Sequence, residues 1–323
     1  MINLGILGCS EIAFRRFMPA AESLNELNIC SIAEEYDKSK LIEFCNTYKL
    51  DVKDNFKKLI SDKKINAVYI PQPPALHYKW AKYALERGVH VLVEKPSTIS
   101  YGQSKELVDI ARKNNLALHE NYMFQYHSQV NKIKEIINSG ILGSIRLFRA
   151  DFGFPKRPSN DFRYNKSLGG GALLDAGGYA VKLATILLGD TIKVDSAMLN
   201  YVPECEVDMY GSASLSNSSG QVIQIGFGMD NSYRCNLDIW GSSGHLYTNR
   251  IFTSPENYNP IINIECSDGN KEIVLEPDTH FKHSIETFIK ETTDKISREQ
   301  MYDSILLQSN LIDEIFKKTN YII

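Results

Sequence analysis

Three segments of the sequence combine residue types with spacings that chemistry can use. The first is Gly8-Cys9-Ser10-Glu11-Ile12-Ala13, directly after the apolar run Ile2–Leu7. Small residues fall at Gly8, Ser10 and Ala13. In a dinucleotide-binding turn such residues permit, in order, a tight bend, close approach of backbone to a pyrophosphate, and packing of helix on strand. Ser10 departs from the usual glycine, and its hydroxyl is a potential donor to a phosphate. The N–H groups of Cys9, Ser10, Glu11 and Ile12 open the helix that would hold the pyrophosphate. Glu34 ends the next apolar run, where an acidic residue takes the ribose hydroxyls. A carboxylate there repels a 2′-phosphate, so the expected cofactor is NAD(H) or NADP(H), leaning to NAD(H). Arg15 and Arg16 pull the other way, since either can neutralise an extra phosphate.

The second segment is Glu94-Lys95-Pro96, at the end of a buried run and before an X–Pro bond that tolerates the cis form. The third is Gly169-Gly170-Gly171 followed by Asp175 and Tyr179. On a helix those two residues share a face, one turn apart. A carboxylate, a phenol and an ammonium can bind, steady or protonate a developing anion. Taken singly, Lys95 is an ordinary strand-end lysine and Tyr179 an ordinary core aromatic; context lifts both.

These groups need elements to carry them. Over the first 120 or so residues, apolar runs at Ile2–Leu7, Ile29–Ala33, Ala67–Ile70, Val89–Val93 and Leu116–His119 alternate with amphipathic stretches. The stretches lie near Ile12–Glu26, Lys38–Tyr48, Ala75–Arg87 and Tyr101–Asn114. Such alternation predicts a parallel, doubly wound sheet. Beyond Tyr122 a helix is expected at His127–Ser139, a strand at Ile145–Phe152 and an apolar helix from the glycine run to Leu188. From Lys193 to Leu275 strand-like runs are separated by Asn217-Ser218-Ser219-Gly220, Gly241-Ser242-Ser243-Gly244 and Ser267-Asp268-Gly269-Asn270. Helices near His280–Thr293 and Glu299–Lys318 close the chain. The expected fold is α/β. A Rossmann domain spans 1–122, and an α+β domain with an open, mostly antiparallel sheet spans 123–323 and carries substrate binding and oligomerisation. The site is expected between the sheet's carboxyl edge and the glycine-rich helix.

Composition removes several alternatives. A formal net charge of -3 gives no reason to expect nucleic acid or an anionic membrane as partner. The six cysteines form no Cys-x-x-Cys pair and fit a reducing, cytoplasmic setting. The seven histidines are dispersed, and no metal is expected. No signal peptide is apparent, and no apolar run is read as reaching membrane-spanning length.

Together, the fingerprint, Glu94-Lys95-Pro96 and the segment Gly169 to Tyr179 resemble the Gfo/Idh/MocA oxidoreductase family. Tyr69-Ile-Pro71-Gln-Pro73-Pro-Ala-Leu-His77 resembles that family's nicotinamide-side loop, with Pro74 where asparagine is common. Leu7–Arg16, His119–Phe124, Phe227–Asp230 and Trp240–Arg250 further resemble the nucleotide-sugar C-3 ketoreductases of deoxysugar biosynthesis. The resemblance implies reduction of a keto group on a nucleotide-linked deoxysugar. It sets Lys95 beside the nicotinamide and Tyr179 as proton donor, where many relatives have histidine. An ammonium ~4 Å from a phenol, at an effective dielectric of ~20, favours the phenolate by up to ~4 kcal/mol, or ~3 pKa units from ~10. Asp175 would oppose that effect, so it is expected to pair with Lys95 or bind a substrate hydroxyl. Pro71, Pro73, His77 and Glu94 are implied to line the cofactor. Tyr122, Phe124, Phe154, Arg163, Tyr164 and Tyr233 are candidates for the sugar nucleotide, an arginine for the diphosphate and tyrosines for the base. Two other readings stay open: a dehydrogenase of free polyols or dihydrodiols, and a non-catalytic NAD(P)-sensing protein. The open sheet face suggests a homodimer or homotetramer.

Overall fold

The structure is a computed structural model and describes residues 1–267 and 269–319. It divides into two compact units: Met1–Tyr122 with Phe281–Leu306, and Met123–His280 with the chain from Leu307. The segment Phe281–Leu306, read from the sequence as part of the second domain, is thus grouped with the first. Its attachment is polar as well as apolar. Within that unit His119 meets Ser284 and Glu291, the Tyr302 hydroxyl donates to the Leu116 carbonyl, and Arg112 pairs with Glu299 at 2.9 Å.

The first unit is built on six parallel strands: β1 (Ile2–Leu7), β2 (Leu27–Ala33), β3 (Asp51–Lys53), β4 (Ala67–Ile70), β5 (His90–Glu94) and β6 (Leu118–Asn121). Their order is β3-β2-β1-β4-β5-β6, so the chain reverses direction across the sheet between β1 and β4. Ligands of doubly wound sheets bind outside the strand carboxyl ends at such a switch point. Leu4, Ile6, Val68, Ile70, Val91 and Val93 have no exposed surface, as strands covered on both faces require. Strand β3 was not anticipated. It is a three-residue edge strand with Val52 exposed, and it lacks the apolar run that marks its neighbours.

The second unit carries β7 (Ile145–Gly153), β8 (Lys193–Asn200), β9 (Tyr210–Ser216), β10 (Val222–Gly228), β11 (Arg234–Gly241), β12 (Gly244–Asn249), β13 (Ile261–Cys266) and β14 (Gly269–Val274). The order is β14-β13-β12-β11-β7-β10-β9-β8, antiparallel except for β7 with β10. Period-2 alternation sends Phe148, Ala150 and Phe152 inward and Arg149 and Asp151 outward. The glycine-rich helix lies on the inner face, with Tyr179 edge-on to Phe152. The expected turn at Ser267-Asp268-Gly269-Asn270 includes Asp268, which lies outside the described residues.

One sequence expectation needs correction. The segment Lys166–Leu188 is 23 residues long and apolar enough, by length and composition, to cross a membrane. However, 78% of its most apolar window is buried inside the fold, so it is a core element.

Candidate active site, described as two half-sites

The cofactor half-site grows from the β1 turn. Gly8 has φ +116°, and a Cβ there would lie 1.7 Å from Gln72 Nε2. Only glycine suits that backbone and that space. Gln72, unremarked in the sequence, donates from Nε2 to the Leu7 carbonyl at 2.6 Å and fastens the β4 loop to the turn. Ser10 Oγ accepts from the Ala13 N–H at 3.2 Å, capping the helix, while its own hydroxyl proton can still turn to a phosphate. The N–H groups of Ser10, Glu11 and Ile12 sit where a helix start has no intrahelical acceptors, which suits a pyrophosphate. Glu11 itself is exposed and pairs with Arg15.

Glu34 is 5% exposed, and its carboxylate is already engaged by the chain. Oε2 accepts from the Cys9 N–H at 2.6 Å, and Oε1 from the N–H groups of Tyr36 and Asp37 at 2.7 and 3.3 Å. It braces the phosphate turn instead of offering an unengaged carboxylate. That removes the ground for preferring NAD(H).

The nicotinamide-side residues form a second brace. Lys95–Pro96 is cis. His77 is fully buried, with Nδ1 2.7 Å from the Pro96 carbonyl and Nε2 2.6 Å from the Gln72 carbonyl. Burial pushes its pKa down to about 4 against the pull of those two acceptors. The ring thus sits between the Pro71–Pro73 loop and the Lys95–Pro96 turn, and in its neutral form its single N–H donates to one of the two carbonyls. The Ser97 N–H donates to the buried Glu120 carboxylate at 2.9 Å. Ser97 Oγ, also buried, lacks a partner among the described residues, as a donor reserved for a ligand would. Glu94 accepts from the Tyr69 hydroxyl and from Asn121 Nδ2, each at 2.7 Å, and burial raises its pKa. With the glycine turn and the helix start, these groups fit a nicotinamide dinucleotide.

The second half-site surrounds the glycine run. Gly171 has φ +124°, and a Cβ would fall 2.4 Å from Asp208 Oδ1. Asp208 is 3% exposed, accepts from the Leu173 N–H at 2.7 Å, and has its pKa raised to about 6 by burial. It caps the helix start from 35 residues along the chain. Asp175 accepts from Arg163 Nε at 2.6 Å, and Arg163 Nη1 reaches Asp161 at 3.1 Å. This pairing of Asp175 with Arg163 was not foreseen. The two carboxylates hold the guanidinium in one plane and leave part of its donor edge for an anion.

Tyr179 is 7% exposed and ringed by Phe124, Phe152 and Phe252, with centroids 5.8, 5.2 and 5.9 Å away. Its hydroxyl lies 3.8 Å from Met123 Sδ. Gln308 Nε2 takes the neighbouring Gly178 carbonyl at 2.8 Å, and Lys182, assigned no part from sequence, is 1% exposed one turn on. The remaining candidates scatter. Tyr122 is fully buried in the first unit. Phe154 meets Phe152 edge-on under Arg157, and the Tyr164 hydroxyl accepts from the Arg157 N–H at 2.7 Å. Tyr233 instead lines a cavity of about 650 Å³ on the outer face of the sheet, with Arg149, Arg234 and Arg250.

Comparison with known proteins agrees with this architecture. Residues 2–122 match the oxidoreductase family with an NAD-binding Rossmann fold, and residues 130–247 match the GFO/IDH/MocA C-terminal domain. The chain belongs to the Gfo/Idh/MocA oxidoreductases and is an NAD(P)-dependent enzyme of the sugar ketoreductase kind. Among named relatives it is 34% identical to a dTDP-3,4-didehydro-2,6-dideoxy-alpha-D-glucose 3-reductase of Actinomadura kijaniata, over 97% of this chain and 94% of that one. The structure of KijD10, a 3-ketoreductase from the same organism, in complex with NADP and TDP-benzene, superposes with a TM-score of 0.94 at 34% identity, covering 99% and 98% of the two chains. KijD10 has also been solved as separate single variants, one with a lysine and one with a tyrosine substituted, at positions 84 residues apart. A D-xylose 1-dehydrogenase (NADP(+)) of Haloferax volcanii is 27% identical over 92% of each chain.

Proposed function

We propose that this enzyme uses NADP(H) to reduce the C-3 keto group of a deoxysugar carried on a nucleoside diphosphate, with Tyr179 as proton donor. The observation that carries the reading is near-full-length likeness to dTDP-sugar 3-reductases, together with Lys95 and Tyr179 at the same 84-residue separation as the pair substituted in KijD10.

The dinucleotide, when bound, supplies the hydride. The protein's own residues do the rest. The Gly8 turn and the helix start hold the diphosphate. Lys95 supplies positive charge to the oxygen that gains negative charge, and Tyr179 delivers the proton to it. The aromatic ring around Tyr179 keeps water from competing for that proton. Asp175 steadies Arg163, whose planar guanidinium suits a substrate diphosphate. Glu34, whose carboxylate is spent on backbone N–H groups, no longer argues for NAD(H), and the NADP bound by KijD10 supports NADP(H). Six free thiols accord with a cytoplasmic enzyme. The charged outer face of the second sheet, where Trp240 is 60% exposed, is the expected contact for a second copy in a homodimer or homotetramer.

A substrate panel tests the assignment. With NADPH, a dTDP-linked 3-keto-deoxyhexose should be turned over at least ~100-fold more efficiently than any free sugar, because the diphosphate contributes binding energy to the reacting complex. The relation to the D-xylose enzyme makes free-aldose oxidation the second reading. Efficient turnover of D-xylose, with no benefit from a nucleotide, would establish that instead.

A further inference from the structure

A line of buried polar groups runs from Glu94 into the core of the first unit. Asn121 Nδ2 donates to Glu94 Oε1 at 2.7 Å. Ser284 Oγ lies 2.7 Å from Asn121 Oδ1 and 3.0 Å from His119 Nε2. His119 Nδ1 lies 3.1 and 3.0 Å from the two oxygens of Glu291. Asn121, Ser284, His119 and Glu291 are at most 1% exposed. None belongs to the fingerprint, and no step above uses them. Burying four polar side chains in a row is costly unless each bond is made, so their presence calls for a role.

With Glu94 ionised, the hydrogens in this line have one consistent arrangement. Only the amide nitrogen of Asn121 can donate to the Glu94 carboxylate, so its oxygen faces Ser284. That oxygen needs a donor, and Ser284 has one hydrogen to give. Ser284 is therefore the acceptor towards His119, and His119 Nε2 carries a proton. Nδ1 then faces a carboxylate, and a second proton must lie between His119 and Glu291. Burial raises the Glu291 pKa, which favours keeping that proton at neutral pH, while Arg298 donates to the Glu291 backbone carbonyl at 2.8 Å. From His119 onward every donor points towards Glu94.

We propose that Ser284 and Asn121, backed by the His119–Glu291 pair, are positioning residues for the reduction: they hold Glu94 ionised next to Lys95 and so fix the ammonium that serves the substrate oxygen. The inference rests on the reading of Lys95 given above. The groups facing Glu94 are Tyr69 from β4, Asn121 from β6, and the Lys95 charge and N–H from its own strand. Burial raises the Glu94 pKa and the two donors lower it. Loosening a donor must raise it further and remove the ionised form from the acid side first.

Ser284→Ala frees the Asn121 amide to turn. The acid limb of its kcat–pH profile should move up by about one pH unit. Turnover on the acid side of the parent limb should fall about tenfold and recover on the alkaline side, with KM for both substrates within about twofold. Without cofactor, the infrared band of the protonated Glu94 carboxyl, identified by its loss in Glu94→Gln, should persist to correspondingly higher pH. Asn121→Asp, which removes the donor outright, should shift both readouts further and carries the test if Ser284→Ala does not fold. A merely structural role would lower activity equally at all pH values. Folded Ser284→Ala with the parent profile and band would overturn the proposal. Full turnover by Lys95→Ala would instead overturn the reading beneath it.

Discussion

The two glycine turns are built alike from different materials. In the first unit Gly8 takes a positive φ, a helix begins, and a buried carboxylate from the next strand, Glu34, receives a loop N–H. In the second unit Gly171 takes a positive φ, a helix begins, and a buried carboxylate, Asp208, receives the Leu173 N–H at the helix start. Each arrangement presents a helix start without offering its own carboxylate to the ligand. The difference lies in what the helix carries. The first helix start is bare N–H groups, suited to a phosphate. The second bears side chains, Asp175 and Tyr179, suited to binding and proton delivery. One device can thus serve as an anion cradle or as a mount, according to the residues that follow the turn.

Substitutions at the two turns should separate these jobs. Gly8→Ala puts a Cβ 1.7 Å from Gln72 Nε2 on a backbone that L residues avoid. NADPH affinity should fall at least ~100-fold in a fluorescence titration, since both the turn and the Gln72 brace must move. Gly171→Ala meets Asp208 at 2.4 Å and should lower turnover about tenfold while leaving NADPH affinity within about twofold. If both variants lose cofactor binding equally, the division of labour is wrong. Asp208→Ala should cost about 1–2 kcal/mol in chemical denaturation, as loss of a buried cap does, and Asp208→Asn, which keeps an acceptor, clearly less.

Acid should distinguish the same two regions more gently. His77 and His90, in the first unit, have pKa values lowered to about 4 by burial. The unfolded chain binds their protons near pH 6.5 and the folded chain does not, so stability is lost as pH falls from about 6.5 towards 4. His77 alone accounts for up to about 3 kcal/mol of that loss. Asp208, raised to about 6, acts oppositely: its protonation favours the folded state as pH falls through 6. Hydrogen exchange should therefore report loosening of β4 and β5 before loosening around Leu173 as the pH drops from 7 to 5. The reverse order would contradict the comparison.

The sequence made the first turn readable and left the second half hidden, for a physical reason. Gly8, Ser10 and Ala13 act through spacing along one strand and one helix, and Glu34 sits at a fixed distance because the βαβ unit has a standard length. Asp208, Gln72 and the His119–Glu291 pair act across long chain separations, so no local period marks them. The buried strands of the first sheet were legible because coverage on both faces forces continuous apolar runs. The short polar edge strand β3 escaped for the converse reason. Glu34 was legible as a residue but not as a bond: its position was read correctly, yet three backbone donors claim its carboxylate.

The most direct test is Tyr179→Phe, followed by stopped-flow NADPH oxidation with a dTDP-linked 3-keto-deoxyhexose. The change removes one oxygen from the aromatic surround and leaves the cofactor turn untouched. The account predicts a rate at least ~100-fold lower, with NADPH affinity unchanged. A single-turnover rate equal to that of the parent enzyme would take the phenol out of the chemistry and contradict the central claim.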